Sequence, residues 1–67
     1  MTRYKKIQTK ARTLGIDTVQ DKYCSPRGYW ITQANGEPVW AGDNFAGSLD
    51  ELQEMVEYYE YYEQSVN

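Results

Sequence analysis

The chain has no histidine and one cysteine, Cys24, among its 67 residues, and each scarcity closes a route. Without histidine the commonest general base and a principal transition-metal ligand are missing, which sets aside His-dependent nucleophilic catalysis and zinc binding. A single cysteine cannot form an intramolecular disulfide. No leader pattern stands at residues 1–12, so a free thiol in a reducing, cytoplasmic setting is expected. Mean hydropathy is −0.84, and no apolar run approaches the roughly 20 residues that span a bilayer, so no membrane segment is expected. A domain this short buries only about 60% of the surface its unfolded form exposes, and one small core over residues 1–67 is the expectation.

Charge of one sign is missing from each end. Residues 1–12 contain no acid and carry Arg3, Lys5, Lys6, Lys10 and Arg12, a side-chain charge of +5. Residues 48–67 contain no base and carry Asp50, Glu51, Glu54, Glu57, Glu60 and Glu63, a charge of −6. The whole chain sums to −3. Blocks of this kind mean either two helices that attract side by side or two independent charged surfaces. Aromatic residues, by contrast, are plentiful at 15%, with seven Tyr and two Trp, more than a disordered chain carries.

Tyr4, Ile7, Ala11 and Leu14 recur at helical spacing, so a first helix is expected over residues 2–14, with Thr2 as N-cap and Gly15 as the left-handed residue after its end. Bases crowd its first turn, where the helix dipole favours acids, so this end needs acids nearby to hold it. Residues 17–23 alternate weakly, with Val19 and Tyr23 as the apolar side of a strand, and Pro26 and Gly28 suit a reversal over residues 24–28. Asn35-Gly36 between residues 29–34 and 37–41 predicts a hairpin on a type I′ turn, with both loop residues at positive φ and Gln33 opposite Pro38. Pro38 marks the second hairpin strand as an edge. Trp30 and Trp40 then face opposite sides of the sheet, and a Trp left bare reads as a partner or homodimer surface unless Phe45, in a loop over residues 42–47, covers it.

Ser48-Leu49-Asp50-Glu51 fits a capping box, with Ser48 capping a second helix and Glu51 reaching back. Leu49, Leu52, Val56, Tyr59 and Val66 form its apolar stripe, flanked by Met55 and Tyr62, and fraying is expected from residue 64 onward. The predicted fold is α+β: helix, strand, strand, strand, helix, with a three-stranded antiparallel meander and both helices on one sheet face.

Asp43, Asp50 and Glu51 could approach one another near the start of the second helix, but their spacing matches neither a calcium loop nor a glycosidase pair. Gly42 and Gly47 lack the Lys-Ser or Lys-Thr that completes a phosphate loop. No catalytic, cofactor or metal site is expected. Binding is the remaining class. Tyr58 and Tyr61 stand among Asp50, Glu51, Glu54 and Glu57 on the side of the second helix away from its apolar stripe. Carboxylates on a rigid rod can imitate phosphates while tyrosines anchor an interface. The expected function is therefore a small protein-binding module, an acidic inhibitor or nucleic-acid mimic of the counter-defence type that phages and mobile elements use, which occupies a basic surface of a nucleic-acid-binding protein. The alternative is direct nucleic-acid binding through Lys5, Lys6, Lys10 and Arg12, with Tyr4 or the hairpin aromatics stacking on bases.

Overall fold

Thr2 caps the first helix as its sequence suggests, its hydroxyl accepting from the Lys5 N–H at 3.2 Å. Helix α1, Arg3–Thr13, ends where Gly15 takes φ +85 and donates its N–H to the Arg12 carbonyl at 3.1 Å. The computed structural model describes residues 2–21 and 28–64. The expectations for Lys22, Tyr23, the 24–27 reversal, the Cys24 thiol, Val66 and fraying at 65–67 fall outside them. Strand β1, Ile16–Asp21, pairs antiparallel with β2, Gly28–Gln33, placing Thr18 opposite Ile31 and Val19 opposite Trp30. Strand β3, Phe45–Ala46, pairs antiparallel with the other edge of β2. Helix α2, Leu49–Tyr59, follows and widens into a π-helical turn over Glu60–Gln64.

The result is an α+β domain with sheet order β1-β2-β3 and helices before and after it. Ile7 and Ala11 of α1, Ile16, Ile31 and Ala46 of the sheet, and Leu52 and Val56 of α2 bury together as one core. At about 25 cal/mol per Å² of apolar area, burial of this kind is the main force holding the helices to the sheet. Among the described residues no helix is long and apolar enough to cross a membrane.

Three local expectations are corrected. The first concerns the turn: only Gly36, at φ +91, is left-handed, and no other described residue except Gly15 has a positive φ. Gly36 N–H donates to the Gln33 carbonyl at 2.9 Å, and Gln33 N–H to the Glu37 carbonyl at 2.7 Å. Asn35 instead uses its side-chain oxygen to accept from the Glu37 N–H at 3.0 Å. This three-residue loop, with glycine alone in the left-handed position, shifts the register by one, so that Thr32 rather than Gln33 faces Pro38.

The second correction concerns the third strand. Pairing along residues 37–41 stops after Pro38, and the stretch expected to be loop returns to β2 as β3. Asn44, 7% exposed, is the cause. Its Oδ1 accepts from the N–H groups of Val39 and Trp40, both at 3.0 Å, and its Nδ2 donates to the carbonyls of Trp40 and Gly42 at 2.8 and 3.0 Å. One amide thus satisfies four backbone groups of the excursion over residues 39–43, while the Asn44 carbonyl accepts from the Ile31 N–H at 3.0 Å.

The third correction concerns β1. Thr18, not Val19, is the buried residue, at 2% against 50% exposure. Its polar atoms are tolerated there because Tyr4 and Gln8 meet them. Thr18 Oγ1 donates to the Tyr4 hydroxyl at 3.2 Å, and Gln8 Nε2 donates to the Thr18 carbonyl at 3.2 Å.

Candidate functional site

The acidic helix is not one uniform array. A helix advances about 100° per residue, which sets Asp50, Glu54, Glu57 and Tyr61 along the crest of α2 and its π-helical turn. Gln53 and Glu60 lie on one flank, with Glu51, Met55, Tyr58 and Tyr62 on the other. Helix α1 lies against the first flank and claims its acids. Arg3 pairs with Asp50 and donates to Gln53 Oε1 at 2.9 Å, and Lys10 pairs with Glu60 at 2.9 Å. Glu57 accepts from Gln53 Nε2 at 3.2 Å and, with Lys6 and Lys10, lines the seam between the helices. The hydrogen bond that Lys10 donates to Glu60 is the main cause holding its ammonium above the ordinary lysine pKa, opposed by desolvation and helped by the negative charges of Glu60 and Glu57.

The two charged blocks are therefore helices that attract side by side, and this also answers the unfavourable bases at the start of α1. It removes Asp50 from the array expected on the far side of α2, because Arg3 is long enough to reach over and hold it. The basic residues are divided likewise. Lys10 is paired, Arg12 bonds Asp17 at 3.2 Å, and Lys5 and Lys6 are exposed without an ion pair among the described residues. Tyr4 stacks on Tyr29 with ring centroids 5.4 Å apart, so its ring is already engaged inside the domain rather than presented to a base.

The second flank is different in kind. Trp40, carried on the excursion that Asn44 fastens, meets Tyr58 edge to face at 6.1 Å, and Tyr58 in turn meets Tyr62 at 4.7 Å. The wide π-helical turn slows the rotation of the helix, so Tyr62 comes to lie more nearly above Tyr58 than an α-helical turn would put it. Trp40, Phe45, Met55 and Tyr58 wall a cleft of about 540 Å³ between the excursion and α2. Asp43, Glu51, Glu54 and Glu63 also line it, and among the described residues no Lys or Arg does.

Two of those carboxylates are fastened. Asp43 Oδ1 accepts from the Phe45 N–H at 2.9 Å, and Glu51 Oε2 accepts from the Gly47 N–H at 2.8 Å while Ser48 Oγ accepts from the Glu51 N–H at 3.2 Å. The capping box thus exists, with Glu51 reaching one residue further back than expected. Asp43, Asp50 and Glu51 go to three separate partners, and only Asp43 and Glu51 line the same cleft while Asp50 is held by Arg3. Glu54 and Glu63 are exposed and enter no ion pair among the described residues. Among the described residues nothing accepts from the buried Trp40 Nε1.

Of the residues expected to form a binding surface, Glu51, Glu54 and Tyr58 line the cleft. Tyr61 stands 69% exposed on the neighbouring crest, while Asp50 and Glu57 belong to the side facing α1. Trp40, Asp43, Met55 and Glu63 were missed, because their approach depends on the excursion that replaces the expected third strand. The loop-forming Gly42-Asp43-Asn44 was the available signal.

The reverse face of the sheet carries Trp30, 40% exposed, beside Val19. Phe45 covers it in part, meeting Trp30 at 5.0 Å, and Trp30 Nε1 donates to Asp21 Oδ2 at 3.1 Å. Comparison with protein-family models, with curated proteins and with solved structures finds no match for the chain.

Proposed function

We propose that this is a small, non-catalytic, cytoplasmic binding protein that uses the outer face of α2 to engage a basic surface of a protein partner, in the manner of an acidic inhibitor that competes with nucleic acid. The observation that carries this reading is the division of α2. One flank spends its acids on α1, whereas Glu54 on the crest and Glu63 beyond it enter no ion pair among the described residues and stand beside Trp40, Tyr58, Tyr61 and Tyr62. Three of those tyrosines are more than half exposed, and aromatic residues at a surface beside unpaired charge are the usual composition of an interface hot spot with a charged rim. Direct nucleic-acid binding through α1 is less well supported, since Lys10 and Arg12 are engaged within the domain.

The test compares three immobilised proteins in the native host's extract: the parent, the Glu54→Lys/Glu63→Lys variant and the Lys5→Glu/Lys6→Glu variant. A protein retained by the parent and by the α1 variant but lost by the α2 variant is the expected result. Retention should weaken with salt, because exposed charges are screened beyond about 8–10 Å at physiological ionic strength. A gel shift of duplex DNA or RNA by the parent that the Lys5→Glu/Lys6→Glu change abolishes would replace this reading with the nucleic-acid one.

A further inference from the structure

We infer that the cleft between the 39–43 excursion and α2 receives an arginine side chain from a short basic segment of the partner. The inference rests on the binding function proposed above and specifies how it is carried out. The cleft is shallow and open to solvent, with about 540 Å³ of space, which is room for one long side chain lying along it and part of its neighbour.

Its walls and its charges select the occupant. Trp40 and Tyr58 offer aromatic surface, and Met55 and Phe45 offer apolar surface suited to the methylene stem. An apolar side chain would fill that space but would leave Asp43, Glu51, Glu54 and Glu63 without a counter-charge. A phosphate-bearing ligand would meet four negative groups and, among the described residues, no positive one. A guanidinium satisfies both demands, since it stacks on aromatic faces and presents five donors to carboxylates, and it loses less hydration than an ammonium does.

The carboxylates are also arranged in advance. Asp43 and Glu51 are each held by a backbone N–H, and an ionised carboxylate offers about four acceptor positions, so acceptor capacity remains after that bond. These two acids need little ordering when the cation arrives, while Glu54 and Glu63 add attraction from the rim.

The two tryptophans allow a test by comparison, because Trp40 walls the cleft, whereas Trp30 lies on the reverse face of the sheet bonded to Asp21 and meets only the Phe45 ring among the cleft residues named. The probes are a capped tri-arginine peptide, the tri-lysine peptide and the neutral tri-citrulline peptide, followed through the two indole N–H resonances, which a Trp30→Phe variant assigns. Tri-arginine should shift the Trp40 signal more than that of Trp30, tri-lysine should bind more weakly, and tri-citrulline should not bind. Glu54→Gln/Glu63→Gln should weaken tri-arginine by about tenfold or more, the scale of a partly desolvated cation–π and ion-pair contribution, with the Trp30 resonance unchanged as the mark of an intact fold.

Equal binding of tri-citrulline, undiminished binding to the Gln variant, or a shift confined to Trp30 would overturn the inference. If tri-arginine leaves Trp40 unmoved while the α2 charge reversal still releases the captured protein, arginine insertion fails and the binding function stands. If tri-arginine binds the cleft but the captured protein ignores the α2 variant, the cleft assignment holds and the wider function fails.

Discussion

Asn44 decides the site from a single side chain. Its amide bonds to Val39, Trp40 and Gly42 backbone groups, and it is the fastening that carries Trp40 to α2. Asn44→Ala leaves those buried groups to find water or remain unpaired, at about 1–3 kcal/mol for each group that stays unsatisfied. The expected outcome is a loss of about 2–4 kcal/mol in denaturant unfolding, with a change in Trp40 fluorescence that the reverse-face Trp30 does not share. Gly28 acts by size rather than by conformation. A Cβ at that position would overlap the Phe45 ring, so Gly28→Ala should push Phe45 from Trp30 and cost about 1–3 kcal/mol as overpacking does. The two changes separate by readout: Gly28→Ala should move the Trp30 indole resonance first, Asn44→Ala that of Trp40.

At the scale of elements, the 33–37 turn distinguishes two residues that the Asn-Gly motif treats alike. Gly36 alone sits at positive φ, so Gly36→Val forces a β-branched residue into the left-handed region and should destabilise the fold by about 1–2 kcal/mol or more. Asn35→Ala loses only the side-chain bond to Glu37 and should cost about 0.5–1.5 kcal/mol, the net worth of an ordinary hydrogen bond. Comparable losses for the two, measured as shifts in denaturation midpoint at unchanged m-value, would return the turn to type I′. The caps Thr2 and Ser48, the glycine after α1 and the stripe of Leu52 and Val56 were all legible in the sequence, because capping and helical periodicity are set by residues within one or two turns. The register after Asn35-Gly36 was not legible. A type I turn followed by a left-handed glycine uses the same dipeptide as the I′ turn, and the choice between them rests on what the next ten residues can pair with.

Across the whole molecule, α1 and α2 pair their charges along one seam and leave Asp43, Glu51, Glu54 and Glu63 at the opposite flank of α2. The Lys10–Glu60 pair tests this. Lys10→Glu should lower Tm, and combining it with Glu60→Lys should restore part of the loss, since the swapped charges attract again. High salt should reduce both effects because the groups are exposed. The pH dependence has a definite sign. A lysine whose folded pKa lies above its unfolded value adds stability that is fully present below the unfolded value, and that stability is lost as pH rises through the folded one. The Lys10 contribution should therefore hold unchanged through neutral pH and disappear only in alkaline solution, above the ordinary lysine value of 10.5, and the Lys10→Gln variant should lack that alkaline loss.

The order of elements, the absence of a disulfide staple and the opposite charges of the two helices follow from the sequence alone, since composition, periodicity and caps are local properties. The inversion at β1, with Thr18 buried and Val19 exposed, could not be read there, because a buried hydroxyl is acceptable only when Tyr4 and Gln8 arrive from another element to bond it. The cleft has the same origin. Trp40, Asp43, Glu51, Glu54 and Tyr58 are spread over 19 positions. They share one wall only because Asn44 draws the chain out of the sheet and the small buried core, clamped by α1 against β1, leaves that flank of α2 open to face it.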